Sequence, residues 1–211
     1  MRVNEQGRSM IEMLGVLAIV GVLSVGGIAG YSKAMNKFKT NKVIDQINMI
    51  STNIRTLYSS QRTYNGLDNK LAVKIGAIPS EMYDASITSV SEITNAFSGE
   101  VYIKPGTHNG QDETAYIIGF DGLPKSACIV AVTTDWGGDA GSGFAAMYVS
   151  GDTPQGGDAA ADALVADTAN TDGTLNLAIP GDSTYGTPYT IINAQAVCEA
   201  DDDNAIALKY I

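Results

Sequence analysis

Apolar residues are spread unevenly along the chain, and their spacing divides it into parts. From Met13 to Ser32 no charged residue occurs, and the run MLGVLAIVGVLSVGGIAGYS is apolar on every side of a helix. At ~1.5 Å per residue such a helix crosses the ~30 Å hydrocarbon core of a bilayer. The pattern then narrows to a stripe: Val43, Ile47, Ile50, Ile54 and Leu57 recur at alternating intervals of four and three, as on a helix with one apolar face. No proline interrupts residues 8–60, which predicts one continuous helix on the order of 80 Å long. Its first half suits lipid or a bundle of other helices; its second half suits packing against a globular head. Gly15, Gly21, Gly26, Gly27 and Gly30 lie inside it. Each costs ~0.8–1.0 kcal/mol relative to alanine but lets membrane helices approach closely.

Between Tyr64 and Ser98 turn residues surround one short helical piece, LDNKLAVKIG, ended by Gly76 and Pro79. Clusters of β-branched and aromatic residues between turns predict strands at Glu100–Lys104, Thr114–Phe120 and Phe144–Ser150, and a last one near Ala205–Tyr210. A helix is expected from Pro124, with Cys128 and Val132 on one face. Another is expected from about Tyr189, with Ile191, Ala194 and Cys198 on one face. The stretch Gly151–Pro188, rich in Asp, Ala, Gly and Thr, has little to bury and reads as exposed loops.

Composition sharpens this picture. The 211 residues carry a formal charge of -10, concentrated late: beyond Gly99 the cations are Lys104, Lys125 and Lys209. An acidic surface repels phosphate backbones, so nucleic-acid binding by the head is disfavoured. The two cysteines, Cys128 and Cys198, have no CxxC spacing and no companion histidines, and behind a membrane-targeting segment they read as a disulfide rather than a metal site. Two reduced core cysteines are the alternative. A bridge across about 70 residues stabilises by ~4 kcal/mol in the chain-entropy account.

Catalytic constellations are not apparent. His108, in the turn-rich THNGQD, reads as a solvated loop histidine with no sequence partner for a Ser-His-Asp arrangement. Asp201-Asp202-Asp203, or Asp167 with Asp172-Gly173, offer oxygens to Ca²⁺, but neither has EF-hand spacing and a hydrated surface run is the expectation. DWGGDAGSG lacks the lysine and the strand-to-helix context of a phosphate loop and reads as a surface turn.

The N-terminus reverses the order of a secretory signal. The polar leader MRVNEQG ends in Gly7 and precedes the apolar run, so a cut there leaves the hydrophobic segment in the product. Glu12 follows at the edge of that run. An acidic side chain at the centre of a membrane helix costs ~2.5–3.5 kcal/mol, less at its edge, where it can simply be wet. Gly7, then Arg8-Ser9-Met10-Ile11-Glu12, then MLGVLAIVG together resemble the N-terminal signature of type IV prepilins and the related pseudopilins. The stretches NAFSGEVYI, GLPKSACIVAV and AQAVCEADDDNAIAL are similar to the head of type IVb pilins.

That resemblance implies cleavage between Gly7 and Arg8 by prepilin peptidase, methylation of the new amino group, and a role for Glu12 in pairing with the N-terminus of a neighbouring subunit. Buried among apolar helices, an ammonium and a carboxylate are tolerable only as a pair. It further implies a Cys128–Cys198 bridge and an α+β fold, with a long N-terminal helix packed on an antiparallel sheet with short helices. The implied organisation is a leader (1–7), a transmembrane or filament-core segment (8–32), an amphipathic half-helix (33–62) and a head (63–211). The implied function is that of a filament subunit without catalysis or cofactor. Its partners would be itself, other pilins, the peptidase and an inner-membrane assembly platform. It would pass from the inner membrane, head in the periplasm, to an extracellular pilus. Two features depart from the family pattern: Arg8 stands where Phe, Met or Leu is usual, and Lys33, Lys37, Lys39 and Lys42 follow the apolar run, on the side the resemblance implies is exported. A pseudopilin of a secretion system, a minor tip pilin acting as an adhesin, and a signal-anchored periplasmic enzyme are the rival readings.

Overall fold

The computed structural model describes residues 10–84, 92–137, 142–150, 162, 176–178 and 187–211. It divides into two units, Met1–Phe38 and Lys39–Ile211. The described part of the first unit is helical throughout and belongs to α1, which runs Met10–Tyr58 without a break. The hydroxyl of Ser24 donates back to the Val20 carbonyl at 2.7 Å, so this polar group is satisfied within the helix itself.

In the second unit α1 buries Val43, Ile47, Ile50, Ile54 and Tyr58, the steps of three and four that the stripe predicts. Leu57 does not join them. It is 43% exposed, and the ring of Tyr58 closes the stripe instead. The helix ends in a polar turn where Gln61 N–H donates to the Tyr58 carbonyl at 2.8 Å. Helix α2, Asn69–Lys74, starts at Asp68, whose carboxylate accepts from Leu71 N–H at 2.6 Å, and a 3-10 turn follows at Ser80–Met82.

Among the described residues five strands form one antiparallel sheet: β1 Val101–His108, β2 Gln111–Leu123, β3 Phe144–Ser150, β4 Asn176–Ala178 and β5 Asn204–Tyr210. Their order is β1-β2-β5-β3-β4, with the last strand in sequence at the centre. Asn109 and Gly110 link β1 to β2 with φ of 51° and 70°, the doubly positive pair that matches the twist of a tight hairpin. Alternate residues of β5 serve two clusters. Ile206, Leu208 and Tyr210 join Tyr116, Ile118, Phe120, Met147 and the α1 stripe; Ala205 and Ala207 face the other way with Ile117 and Ala146, against Tyr102 and Tyr148. Helices α3, Lys125–Thr133, and α4, Ile191–Val197, complete the head.

Several expectations are corrected. His108 is not a loop residue: it ends β1 opposite Gln111, is half-buried, and its ring Nε2 lies 3.0 Å from Asn109 Nδ2. The stretch Gly151–Pro188 is not loop alone, because β4 pairs with Met147–Val149. Trp136, in the supposed surface turn, is buried and donates from its ring N–H to the Ala131 carbonyl at 2.9 Å. Ile191 does not share an inward face with Ala194; it is 67% exposed, and Cys198 follows the last residue of α4. Gly7, Arg8, Asp167, Asp172 and Gly173 lie outside the described residues.

Candidate functional site

Two regions concentrate the features that point to function. The first is the start of α1. Twelve large apolar side chains from Met10 to Ile28 are between 48% and 81% exposed. Glu12 is likewise exposed, one position before the uncharged run. A Cβ built on Gly15, Gly21, Gly26, Gly27 or Gly30 meets nothing within 4 Å, so these glycines answer to no contact inside the chain. Burial of one such apolar side chain is worth ~1.5–3 kcal/mol, which makes this surface unfit to remain in water. Among the described residues this helix is long and apolar enough to cross a membrane.

The second region is the bridged face of the head. Cys128 on α3 and Cys198 beyond α4 form a disulfide, with Cα atoms 5.9 Å apart and both residues fully buried. Pro124 starts α3 with its fixed φ, and Thr190 caps α4 by accepting from Asn193 N–H at 3.3 Å. The bridge has hydrogen-bonded reinforcement. Tyr189 N–H donates to the Val132 carbonyl at 3.1 Å, and Lys125 N–H to the Asp201 carbonyl at 2.9 Å. The buried Asn204 amide donates to the carbonyls of Leu123 and Ala200 at 2.9 and 2.7 Å. Nothing in ADDDNAIAL separates this clamp asparagine from a turn residue. Asp201, Asp202 and Asp203 are all exposed, and among the described residues no group of three or more His, Cys, Asp or Glu side chains is placed to hold a metal.

Between α1 and the sheet lies a file of aromatic rings. Tyr58–Tyr64, Tyr64–Tyr116, Tyr116–Tyr210 and Tyr210–Phe144 have centroid separations of 5.1, 4.8, 5.4 and 5.6 Å. Tyr116 Oη lies 3.1 Å from Ser51 Oγ and from the Ser51 carbonyl, tying strand to helix. Burial pushes the Tyr116 and Tyr210 hydroxyls well above the ordinary tyrosine range, against a smaller opposing effect of the Ser51 hydrogen bond. Polar side chains of α1 also hold the segment before β1. Asn53 donates to the Ala77 carbonyl at 3.0 Å, Gln46 accepts from Ala96 N–H at 3.2 Å, and Lys42 pairs with Glu81 at 3.2 Å. The ammonium of Lys39 sits 5.5 Å from the centroid of Phe97.

Known proteins resemble this chain in sequence and in fold. Residues 37–210 match the family model described as PilS N terminal. Over 133 residues the chain is 31% identical to the major structural subunit of bundle-forming pilus from Escherichia coli O127:H6 (strain E2348/69 / EPEC), a match covering 63% of this chain and 66% of that protein. It is 25% identical over 138 residues to the toxin coregulated pilin of Vibrio cholerae, covering 63% of this chain and 59% of that one. The chain therefore spans just under two thirds of the length of these relatives. The crystal structure of TcpA, a type IV pilin from Vibrio cholerae El Tor biotype, superposes with a TM-score of 0.53 at 16% identity, over 82% of this chain and 99% of that one, a likeness of fold. With the family model matched over most of its length, its long apolar helix and its bridged α+β head, this chain belongs to the type IV pilin family.

Proposed function

We propose that this chain is a structural subunit of a type IV pilus, polymerised through the first part of α1, and that it catalyses no reaction. The observation that carries the reading is the all-round exposure of the apolar residues Met10 to Ile28 on a chain of this family. Such a surface needs lipid before assembly and neighbouring helices after it. On this reading residues 1–7 are the leader, 8–32 the membrane and filament-core segment, 33–62 the amphipathic half-helix and 63–211 the head. Prepilin peptidase cuts between Gly7 and Arg8. The chain waits in the inner membrane with its head in the periplasm, and an assembly platform moves it into an extracellular filament of identical or related pilins. Glu12 sets the axial register, because inside the bundle its carboxylate is stable only against the amino terminus of another copy.

The test is the mass of the N-terminal peptide in filaments sheared from the native cells. A peptide starting at Arg8, in a chain that dominates the filaments, supports the reading. A chain starting at Arg8 but confined to the envelope fraction points to a pseudopilin. A chain starting at Met1 in the envelope, and absent from sheared material, refutes processing and filament membership together.

A further inference from the structure

A sheet with two open edges is a hazard for a protein whose copies are held side by side at high density. Strand β1 stands at one edge. In an antiparallel ladder alternate residues turn both backbone groups away from the neighbouring strand. On β1 these are Val101, Ile103 and Pro105. Each outward donor among them is occupied or missing. Val101 N–H donates to the Ile93 carbonyl at 2.8 Å. Ile103 N–H donates to Asn69 Oδ1 at 2.8 Å, while Asn69 Nδ2 donates to the Val101 carbonyl at 2.9 Å. Pro105 has no N–H to offer. Past it the register shifts between Gly106 and His108, a bulge that ends regular pairing.

The Asn69 contacts are those of a strand in miniature: one carboxamide supplies an acceptor and a donor to the two groups that a neighbouring strand would take. Asn69 is the first residue of α2, and the Asp68 cap fixes the helix that carries it. Among the described residues the far edge of the sheet is β4, Asn176–Ala178.

We infer that Asn69 and Pro105 together guard the β1 edge, the Asn69 side chain standing in for a strand and Pro105 withholding a donor, so that a second copy of this chain cannot add to the sheet and copies join only through other surfaces. The inference rests on the pilin reading for its setting, the crowding of heads along a filament, while the edge chemistry belongs to the head alone. It assigns Asn69 a role that packing alone would not give, since a short apolar side chain could fill its place but could not occupy the Ile103 donor.

The full chain in detergent micelles tests this without any filament. Asn69→Ala should keep the near-ultraviolet circular dichroism of the folded head, yet raise thioflavin T fluorescence several-fold over wild type and shift sedimentation toward oligomers. Asn69→Asp retains an acceptor for Ile103 N–H and adds a charge to the edge, so it should remain monodisperse. Pro105→Val restores an outward donor while leaving Asn69 in place, and should associate more than wild type. If Asn69→Ala fails to fold, Pro105→Val decides: association supports the guard, and monodisperse folded protein overturns it. Folded Asn69→Ala that stays as monodisperse as wild type overturns it too. These readouts differ from failure of the pilin reading, which shows in sheared filaments and not in micelles.

Discussion

Glu12 and Tyr116 place polar groups against opposite surroundings, and each yields a test. Glu12 is the one acidic residue of α1 before Asp45, and in the single chain it is exposed. On the proposed function only assembly buries it, so its cost would fall on the filament and not on the fold. Glu12→Val should leave cleavage and membrane insertion intact and abolish filaments; normal filament yield on shearing would remove Glu12 from the register. Tyr116 is buried already, with Tyr210 stacked on it. Desolvation holds both hydroxyls protonated beyond the pH at which they ionise in the unfolded chain. Their contribution is therefore fully present below about pH 10 and is lost as pH rises through that value toward their folded pKa values. The denaturant midpoint of the head should be flat near neutrality and fall steeply above about pH 10, and Tyr116→Phe should reduce that slope.

At the scale of elements, α1 changes its task along its length. From Lys39 onward one face is sealed by the head, with Ile47, Ile50 and Ile54 fully buried, whereas Leu57 is 43% exposed. Ile50→Ala should cost ~2–5 kcal/mol of unfolding free energy, and Leu57→Ala no more than ~0.5 kcal/mol, as read from denaturant titration. Most of these elements were legible because their patterns are long. The alternation of four and three residues along α1 repeats often enough to stand out, and β-branched and aromatic residues together mark β2, β3 and β5. What escaped was short or polar. Three residues of β4 carry no period, and β1 runs past Lys104 through Pro105 and Gly106, residues that read as a stop but are tolerated at a sheet edge. The turn Asn95–Gly99 was equally hidden. Asn95 accepts from Phe97 and Gly99 N–H at 2.8 and 3.2 Å, and a Cβ on Gly99 would collide with the Asp121 carbonyl. Such polar fastenings depend on partners distant in the chain. Of the candidate site, the cysteine pair and Glu12 could be picked out by type and depth, whereas Asn204 acquires meaning only from what surrounds it.

At the scale of the molecule, the Cys128–Cys198 bridge joins points 70 residues apart and encloses β3 and β4 within its loop. Cys198→Ser should lower the stability of the head by ~2–5 kcal/mol and, through that loss, the amount of chain recovered from cells. Undiminished stability of the variant, measured by thermal unfolding, would mean that the clamp around Asn204 suffices. The position of β5 has a further consequence. Among the described residues it is the last strand along the chain yet lies between β2 and β3, so without residues 204–210 the described sheet falls into two separate pairs, β1-β2 and β3-β4. On the proposed function, with the head exported behind a segment that stays in the bilayer, the head cannot be completed until Tyr210 is across. A fusion or truncation that disturbs β5 removes the keystone of the sheet and not its margin.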